Sequence, residues 1–498
     1  MRTWGPLIAI CLGTFLLLTD VTIVTVALPA IAKDLHSGMA DLEWAVDIYA
    51  LALAALLLGV GSSADRFGCR KIYATGLATF AGASLACALS PDIAALIVAR
   101  GVQGVGAAAM LGTTIALLGT CVEDSERGLA FGVWGATSAS AVAVGPIAGG
   151  LLTEHGDWRW IFLINLPISV VAAVFVIRYV KETPKKRTGR LDVLGVLAFT
   201  VAAGAATWLL IRVHGNSWTS ATTLILGAVA VGAFVVFVVV ERLHPDPMLD
   251  LSLFRSPAFS GIAVAGFFMQ AAAFAYLLFT SLWLQSVLKL GPVDAGLVFL
   301  PLSLAAFLTA ILAGRFGQRS PYLFIGAGLP LIGAGALAQT FLTARSTASA
   351  VLPGMIVVGI GVGLATPTMS AAALSAAPAD RGGMAGAAVN TFRQLGYAVG
   401  IALFGVVFDA RVRSAVDRHG LADADTVAAA LGSGQAQPLI ARAPSLEGVV
   451  REAFAAGLDA TCLVAAIAGF IGGASVLGLA LVRASADPKR PRRVPPCP

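Results

Sequence analysis

An all-α membrane protein with fourteen transmembrane helices, arranged as two six-helix bundles plus an inserted helix pair, is the fold class this sequence predicts. Three observations carry it: an apolar excess, a regular succession of long apolar segments, and a set of landmarks that occurs twice in the same order. The 498 residues are 58% hydrophobic and 12% charged, with a mean hydropathy of +0.88. Soluble domains are roughly 45–50% apolar and about 25% charged, so the surplus apolar surface has to face lipid. The 55 glycines suit close helix packing in a bilayer. Six scattered cysteines contain no CxxC pair, which points to neither a zinc site nor a disulfide framework. The formal charge is +6, and the basic residues gather in short loops between apolar runs. They therefore read as topology signals, with no nucleic-acid partner implied.

A spanning helix needs about 20 mostly apolar residues. Fourteen segments qualify: 5–31, 43–62, 72–90, 93–119, 128–152, 159–180, 192–211, 221–240, 258–287, 293–313, 321–342, 350–374, 384–408 and 457–482. The first is too long for the apolar core of a signal peptide and carries Asp20, so it reads as a retained helix. Lys and Arg concentrate in alternate loops, around Arg66, Arg70 and Lys71, around Lys185 to Arg190, around Arg315 and Arg319, and in the tail from Lys489. The positive-inside rule then places both termini in the cytoplasm of a bacterial inner (plasma) membrane. The Ala/Arg/Gly-rich composition fits a GC-rich bacterial genome. The divisions expected are 1–182 for the first bundle, 183–255 for a linker with the inserted pair, 256–484 for the second bundle and 485–498 for a cytoplasmic tail. Within the second bundle, 411–456 reads as a long outer loop with helix-like stretches such as SLEGVVREAFAAGL.

The repetition is specific. ADRFGCR after the second span is matched by AGRFGQR after the tenth, and Glu126-Arg127-Gly128 after the fourth by Asp380-Arg381-Gly382 after the twelfth. Spans four and twelve hold GVQGVGAAAM and GIGVGLATPT. Spans 1–6 and 9–14 are therefore two copies of one unit. Parallel repeats of this kind are a transporter architecture with the substrate between the halves.

Ionisable groups inside a span are costly and face a cavity or a partner. Asp20 lies eleven residues before Ile31, ~16 Å from the outer end at 1.5 Å per residue, and Arg100 lies eight residues after Asp92, ~12 Å from the same face. Their depths permit pairing. Asp20 is the expected proton carrier, its ionisation opposed by desolvation and favoured by Arg100. The alternative is a static ion pair that only fixes packing. Asp47, ~7 Å inside span two, either binds a cationic substrate, conducts protons or sits wetted at a vestibule rim. In span thirteen, Asn390, Arg393 and Gln394 put polar groups near mid-depth, as cavity lining or as an interhelical hydrogen-bond cluster. Span nine carries an aromatic and Met run from Phe267 to Trp283, some of it lipid-facing, from which Gln270 and Phe274 are the substrate-binding candidates.

The same stretches resemble the major facilitator superfamily, in particular its fourteen-span drug:proton antiporters. GSSADRFGCRK at 61–71 is similar to the loop signature between spans two and three, RGVQGVGAA at 100–108 to that of span four, and AVAVGPIAGG at 141–150 to the antiporter signature of span five. LTDVTIVTVALP, WRWIFLINLP and NTFRQLG also match that branch, and the resemblance covers nearly the whole chain. Ser63, Cys69, Ala141 and Thr25 depart from it. The resemblance implies a major facilitator fold and export of amphipathic drugs or antibiotics in exchange for protons, by a monomer. Within the loop motif of Gly61, Asp65, Arg66, Gly68, Arg70 and Lys71, Asp65 and Arg66 can latch helix ends in the outward-facing state, the alternative being positive-inside anchoring by Arg66, Arg70 and Lys71. For Gly145, Pro146, Gly149 and Gly150 the resemblance implies a proton seal and hinge, the alternative being tight packing alone. Uptake, export of a single metabolite and a transporter-like sensor are the alternatives. No GxxxxGK[ST] loop or HExxH occurs, and the five histidines lack ligand spacing, so the expectation is no enzyme, no cofactor and no metal.

Overall fold

The computed structural model describes residues 4–37, 39–123, 126–182, 192–213, 220–317, 320–378, 381–419, 427, 431 and 436–486. Every regular element among the described residues is helical. The first half holds α1 (Trp4–Asp34), α2 (Met39–Phe67), α3 (Cys69–Ala88), α4 (Ile93–Cys121) and α5 (Arg127–His155), followed by α6 (Trp160–Leu163) and α7 (Asn165–Tyr179). An outlying pair follows, α8 (Val193–Val213) and α9 (Ala221–Leu243). The second half holds α10 (Pro257–Gln270), α11 (Leu277–Leu282), α12 (Pro292–Phe316), α13 (Pro321–Leu337), α14 (Leu352–Ala376), α15 (Gly382–Arg418), α16 (Ala436–Arg442) and α17 (Glu447–Ala486).

Eleven helical stretches among the described residues are long and apolar enough to cross a membrane, and Val193–Leu209 and Pro321–Leu337 are shorter apolar helices. That is fewer than the fourteen expected. The remaining expected span, α3, has 20 residues, but Arg70, Lys71 and many small residues make it less apolar. The ninth span is one segment in the sequence but not one regular helix: π-turns at Ala271–Ala275 and Trp283–Val287 interrupt it. Such bulges often mark functional sites. Helix also extends into the stretch expected to be a loop from 411. α15 runs 37 residues and α17 runs 40. Val412, Ala415 and Val416 continue the apolar stripe of α15 and are buried, as are Val450, Ala453 and Phe454 of α17.

The two halves are built alike. In each, one helix pair closes through facing glycines, α3 on α4 and α13 on α14. A Cβ on Gly106 would lie 2.8 Å from the Gly76 carbonyl oxygen, and one on Gly361 would lie 2.4 Å from that of Gly328. Small residues let backbones approach in this way without a drive to exclude water. Between the halves, α5 packs along α12, and α2 and α4 meet α15.

The cores differ. The second half has one continuous apolar cluster. The first half has two, one around Leu16, Tyr73 and Leu117 and one around Ile23, Cys87 and Phe162. A polar layer separates them at the level of Asp20.

One end of the first bundle is pinned by Asp34. Its Oδ2 accepts from the Trp158 indole N–H at 3.0 Å and from Arg159 Nη1 at 2.7 Å. The Trp158 bond and then Arg159 hold its carboxyl below the usual carboxylate range. This contribution to stability is complete above pH 3.8, the ordinary value, and is lost as the pH falls from there through the lower folded-state value. In thermal unfolding, the wild type is expected to outlast Asp34→Asn at neutral pH, and the gap should shrink near pH 3.

Candidate functional site

Asp20 sits just past the middle of α1, where Leu16, Leu17, Ile23 and Val24 around it are buried. Its carboxylate is completely buried as well. Three side chains from two other helices reach it. Arg100 Nη1 donates to Oδ2 at 2.5 Å, Gln103 Nε2 to Oδ1 at 2.9 Å and Asn165 Nδ2 to Oδ1 at 3.0 Å. Arg100 and Gln103 stand three residues apart on α4 and so share a face. Asn165 opens α7.

A second tier holds the first. Arg100 Nη1 also donates to Gln103 Oε1 at 2.7 Å, and its Nε donates to the Ala45 carbonyl at 3.0 Å. Its guanidinium lies over the Tyr49 ring, 4.4 Å from the centroid. Ser84 Oγ takes hydrogen bonds from Gln103 at 2.9 Å and from Asn165 at 3.3 Å. The cluster thus ties α1, α2, α3, α4 and α7 around one carboxylate. Removing both charges from water is expensive, and only dense hydrogen bonding offsets it. Gln103→Ala removes a bond to a charged group and is expected to lower stability by about 2 kcal/mol, readable by thermal unfolding in detergent.

Depth along the spans predicts the pairing of Asp20 with Arg100. Depth alone does not single out Gln103, Asn165, Ser84 or Tyr49. A signal existed for two of them, since an amide inside an apolar span, in GVQGVG and in WRWIFLINLP, needs a polar partner. Asp47 is half-buried and elsewhere. It lies two residues from Tyr49, about 200° around the helix. It shares the face of Trp44 and Leu51, which meet Trp208 and Gly204 of α8.

The Asp65 end of the molecule is where the halves lock. Asp65 Oδ1 accepts from the Gly383 backbone N–H at 2.8 Å and Oδ2 from that of Met384 at 2.9 Å. These are unpaired donors of the first turn of α15, where a helix favours negative charge. Arg381, just before that turn, pairs with Asp250. A Cβ on Gly61 would lie 2.2 Å from Ala387 Cβ, so the α2–α15 crossing admits only glycine there. Asn390 is buried and donates to the Leu111 carbonyl of α4 at 3.2 Å, placing it in the seam between the halves. Arg66 is buried, Arg70 donates to the Ile177 carbonyl at 2.9 Å and Lys71 is exposed. Gly68 has φ +101°, a left-handed turn that starts α3 and is strained for other residues.

On α5, Gly145 and Gly149 face α1, where added Cβ atoms would meet Thr22 and Ile23. Gly150 and Pro146 face α12, against Val293 and Gly296. One helix thereby touches both the carrier of Asp20 and the opposite half. Gln270, Phe274, Arg393 and Gln394 are all half-buried in the second half. A cavity of about 590 Å³ opens at the Asp65 end between Arg127, Phe131, Gly314, Tyr322 and Ser375.

The Major Facilitator Superfamily profile matches residues 10–401. The multidrug resistance protein Stp of Mycobacterium tuberculosis (strain CDC 1551 / Oshkosh) is 37% identical over 418 residues, covering 83% of this chain and 77% of the relative. The tetracenomycin C resistance and export protein of Streptomyces glaucescens is 30% identical over 99% of this chain and 94% of its own length. The multidrug efflux pump LfrA of Mycolicibacterium smegmatis (strain ATCC 700084 / mc(2)155) is 32% identical over 97% of both chains. Among solved structures, the human organic anion transporter MFSD10 superposes with a TM-score of 0.62 at 12% identity, over 96% of this chain and 100% of that one, a likeness of fold. With paired glycine-packed halves, a buried acid in one of them and a profile match across most of its length, this chain belongs to the Major Facilitator Superfamily of membrane transporters.

Proposed function

We propose that this transporter exports small amphipathic molecules in exchange for protons by alternating access. The observation that carries the reading is Asp20, wholly buried yet held by Arg100, Gln103 and Asn165. An acid with no exposure that can be neutralised by one proton is a switch between two packings of its bundle. The names of the relatives, which speak of multidrug resistance, efflux and export, favour the outward direction for the cargo.

In this reading the protein is a fourteen-span monomer of the bacterial plasma membrane with both termini in the cytoplasm, and the Asp65 end is the cytoplasmic one. The lock of Asp65 on α15 then closes the inside, with Asp20 deprotonated and paired. A proton arriving from outside releases Arg100 from the carboxylate. Motion of α1 passes to α5 through Gly145 and Gly149, and to α12 through Pro146 and Gly150. The inner lock opens, the proton leaves to the cytoplasm and cargo enters. Removal of the proton restores the pair and returns the cargo to the outer side.

The test is uptake of a candidate drug into everted membrane vesicles and into right-side-out vesicles under an imposed pH gradient. Accumulation in everted vesicles that a protonophore abolishes supports the reading. Accumulation only in right-side-out vesicles would make the protein an importer, and indifference to the protonophore would remove the proton.

A further inference from the structure

The two halves answer the same problem differently. In the order of the repeat, α10 and α14 are the counterparts of α1 and α4, the helices that carry Asp20 and Arg100. In the second half an arginine of α15, Arg393, packs its side-chain stem against α10. A Cβ on Gly266 of α10 would lie 3.1 Å from Arg393 Cγ and 3.6 Å from Met369 Sδ of α14. Among the described residues, no acid pairs with Arg393. Arg393 Nε is shielded from solvent and has no hydrogen-bond partner.

Its place is central. Arg393 stands three residues after Asn390, on the same face of α15, and Asn390 bonds to α4 across the seam between the halves. The side chain as a whole is half-buried, so part of it reaches open space. One turn along α10 from Gly266, Gln270 is also half-buried, and its Oε1 is likewise shielded and unpartnered. Phe267 precedes Gln270 by three residues and Phe274 follows it by four, and both rings are half-buried. Charged groups inside membrane domains are kept with partners. Here the Arg393 stem lies against Gly266, whose added Cβ would also meet Met369 Sδ and the Val389 carbonyl.

We infer that Arg393 is the anchor for an anionic group on the cargo, a carboxylate or phenolate on an aromatic body. The rings of Phe267 and Phe274 flank that body, and Gln270 Oε1 accepts from a hydroxyl or N–H on it. A planar guanidinium fork suits an oxyanion better than a point charge does. The inference rests on the reading of the chain as an exporter with its cargo between the halves.

Fluorescein and rhodamine 123 share one three-ring body, the first anionic and the second cationic, and their binding to full-length protein in detergent is read by fluorescence anisotropy. The wild type is expected to bind fluorescein at least about tenfold more tightly, the order expected of one charge-assisted hydrogen bond. Arg393→Gln should erase the preference. Arg393→Lys keeps the charge without the fork and should weaken fluorescein binding several-fold. Asp20→Asn should keep the preference, because binding does not need the proton switch. A failed pH-gradient assay would therefore leave this result standing, and the reverse holds. Equal or tighter binding of rhodamine 123 by the wild type overturns the assignment. So does a fluorescein preference that survives Arg393→Gln. Should Arg393→Gln not fold, unchanged fluorescein affinity in Arg393→Lys overturns it too.

Discussion

Asp20→Asn is expected to abolish transport driven by a pH gradient while leaving a folded protein in the membrane. The substitution keeps the shape of the carboxylate and an acceptor for Gln103 and Asn165, but it fixes the site in a state that resembles the protonated one. Arg100 then stays buried, over the Tyr49 ring and bonded to the Ala45 carbonyl and Gln103, without its counter-charge. Breaking a buried pair costs about 3–5 kcal/mol. Arg100 keeps neutral partners here, so the lower end, about 3 kcal/mol, is the better guide to the loss of stability. The pH-driven rate in proteoliposomes should fall to near background, because an amide carries no proton. Asp20→Glu, which still titrates, should keep a part of it. Binding of cargo, which needs no proton switch, should survive in Asp20→Asn. A wild-type rate in Asp20→Asn under a pH gradient would end the proton-carrier role.

The second large effect is expected at Gly61. A leucine there cannot coexist with the observed crossing, since its Cβ alone would fall 2.2 Å from Ala387 Cβ and 2.8 Å from the Gly383 carbonyl oxygen. In the proposed cycle this contact belongs to the locked arrangement and opens with the inner end. Overpacking costs about 1–3 kcal/mol, which would shift the balance away from the lock by roughly 5- to 150-fold. Spin labels at Phe67 and Ser375, both exposed at the Asp65 end, report the outcome in a cysteine-free background. Gly61→Leu should move the distance distribution to longer values, and transport should drop with it. An unchanged distribution would show that the α2–α15 crossing is not the moving part. Asp65→Asn should shift the same distribution in the same direction by less, because it weakens two hydrogen bonds to α15 without adding a clash.

Much of this architecture is legible without coordinates because it depends on local properties. Apolar runs of bilayer length announce helices whatever they pack against. The paired landmarks, ADRFGCR with AGRFGQR, announce two related halves, and the glycines of α3 and α4 and of α13 and α14 then bear the same packing device in each. Asp20 and Arg100 are predicted partners because rise per residue gives depth, and depth is one coordinate of a helical side chain. Rotation about the helix axis is the other, and it is set by neighbours. That is why Asp47, at a useful depth, is on the face toward α8, while Ser84 and Asn165, which no depth argument singled out, point into the Asp20 cluster. It is also why Asn390 bridges to Leu111, and why the ninth span carries two π-turns that its even hydropathy conceals.

The succession of spans, the doubling of the bundle and the presence of an acid costly enough to need a partner all follow from composition and order, because a bilayer penalises every polar group by the same rule wherever the chain places it. Which side chains answer that acid, which helix end receives Asp65 and why Arg393 meets no acid among the described residues were decided only when the helices packed. Close contact between glycine faces sets the rotation of each helix, and rotation selects the side chains that meet.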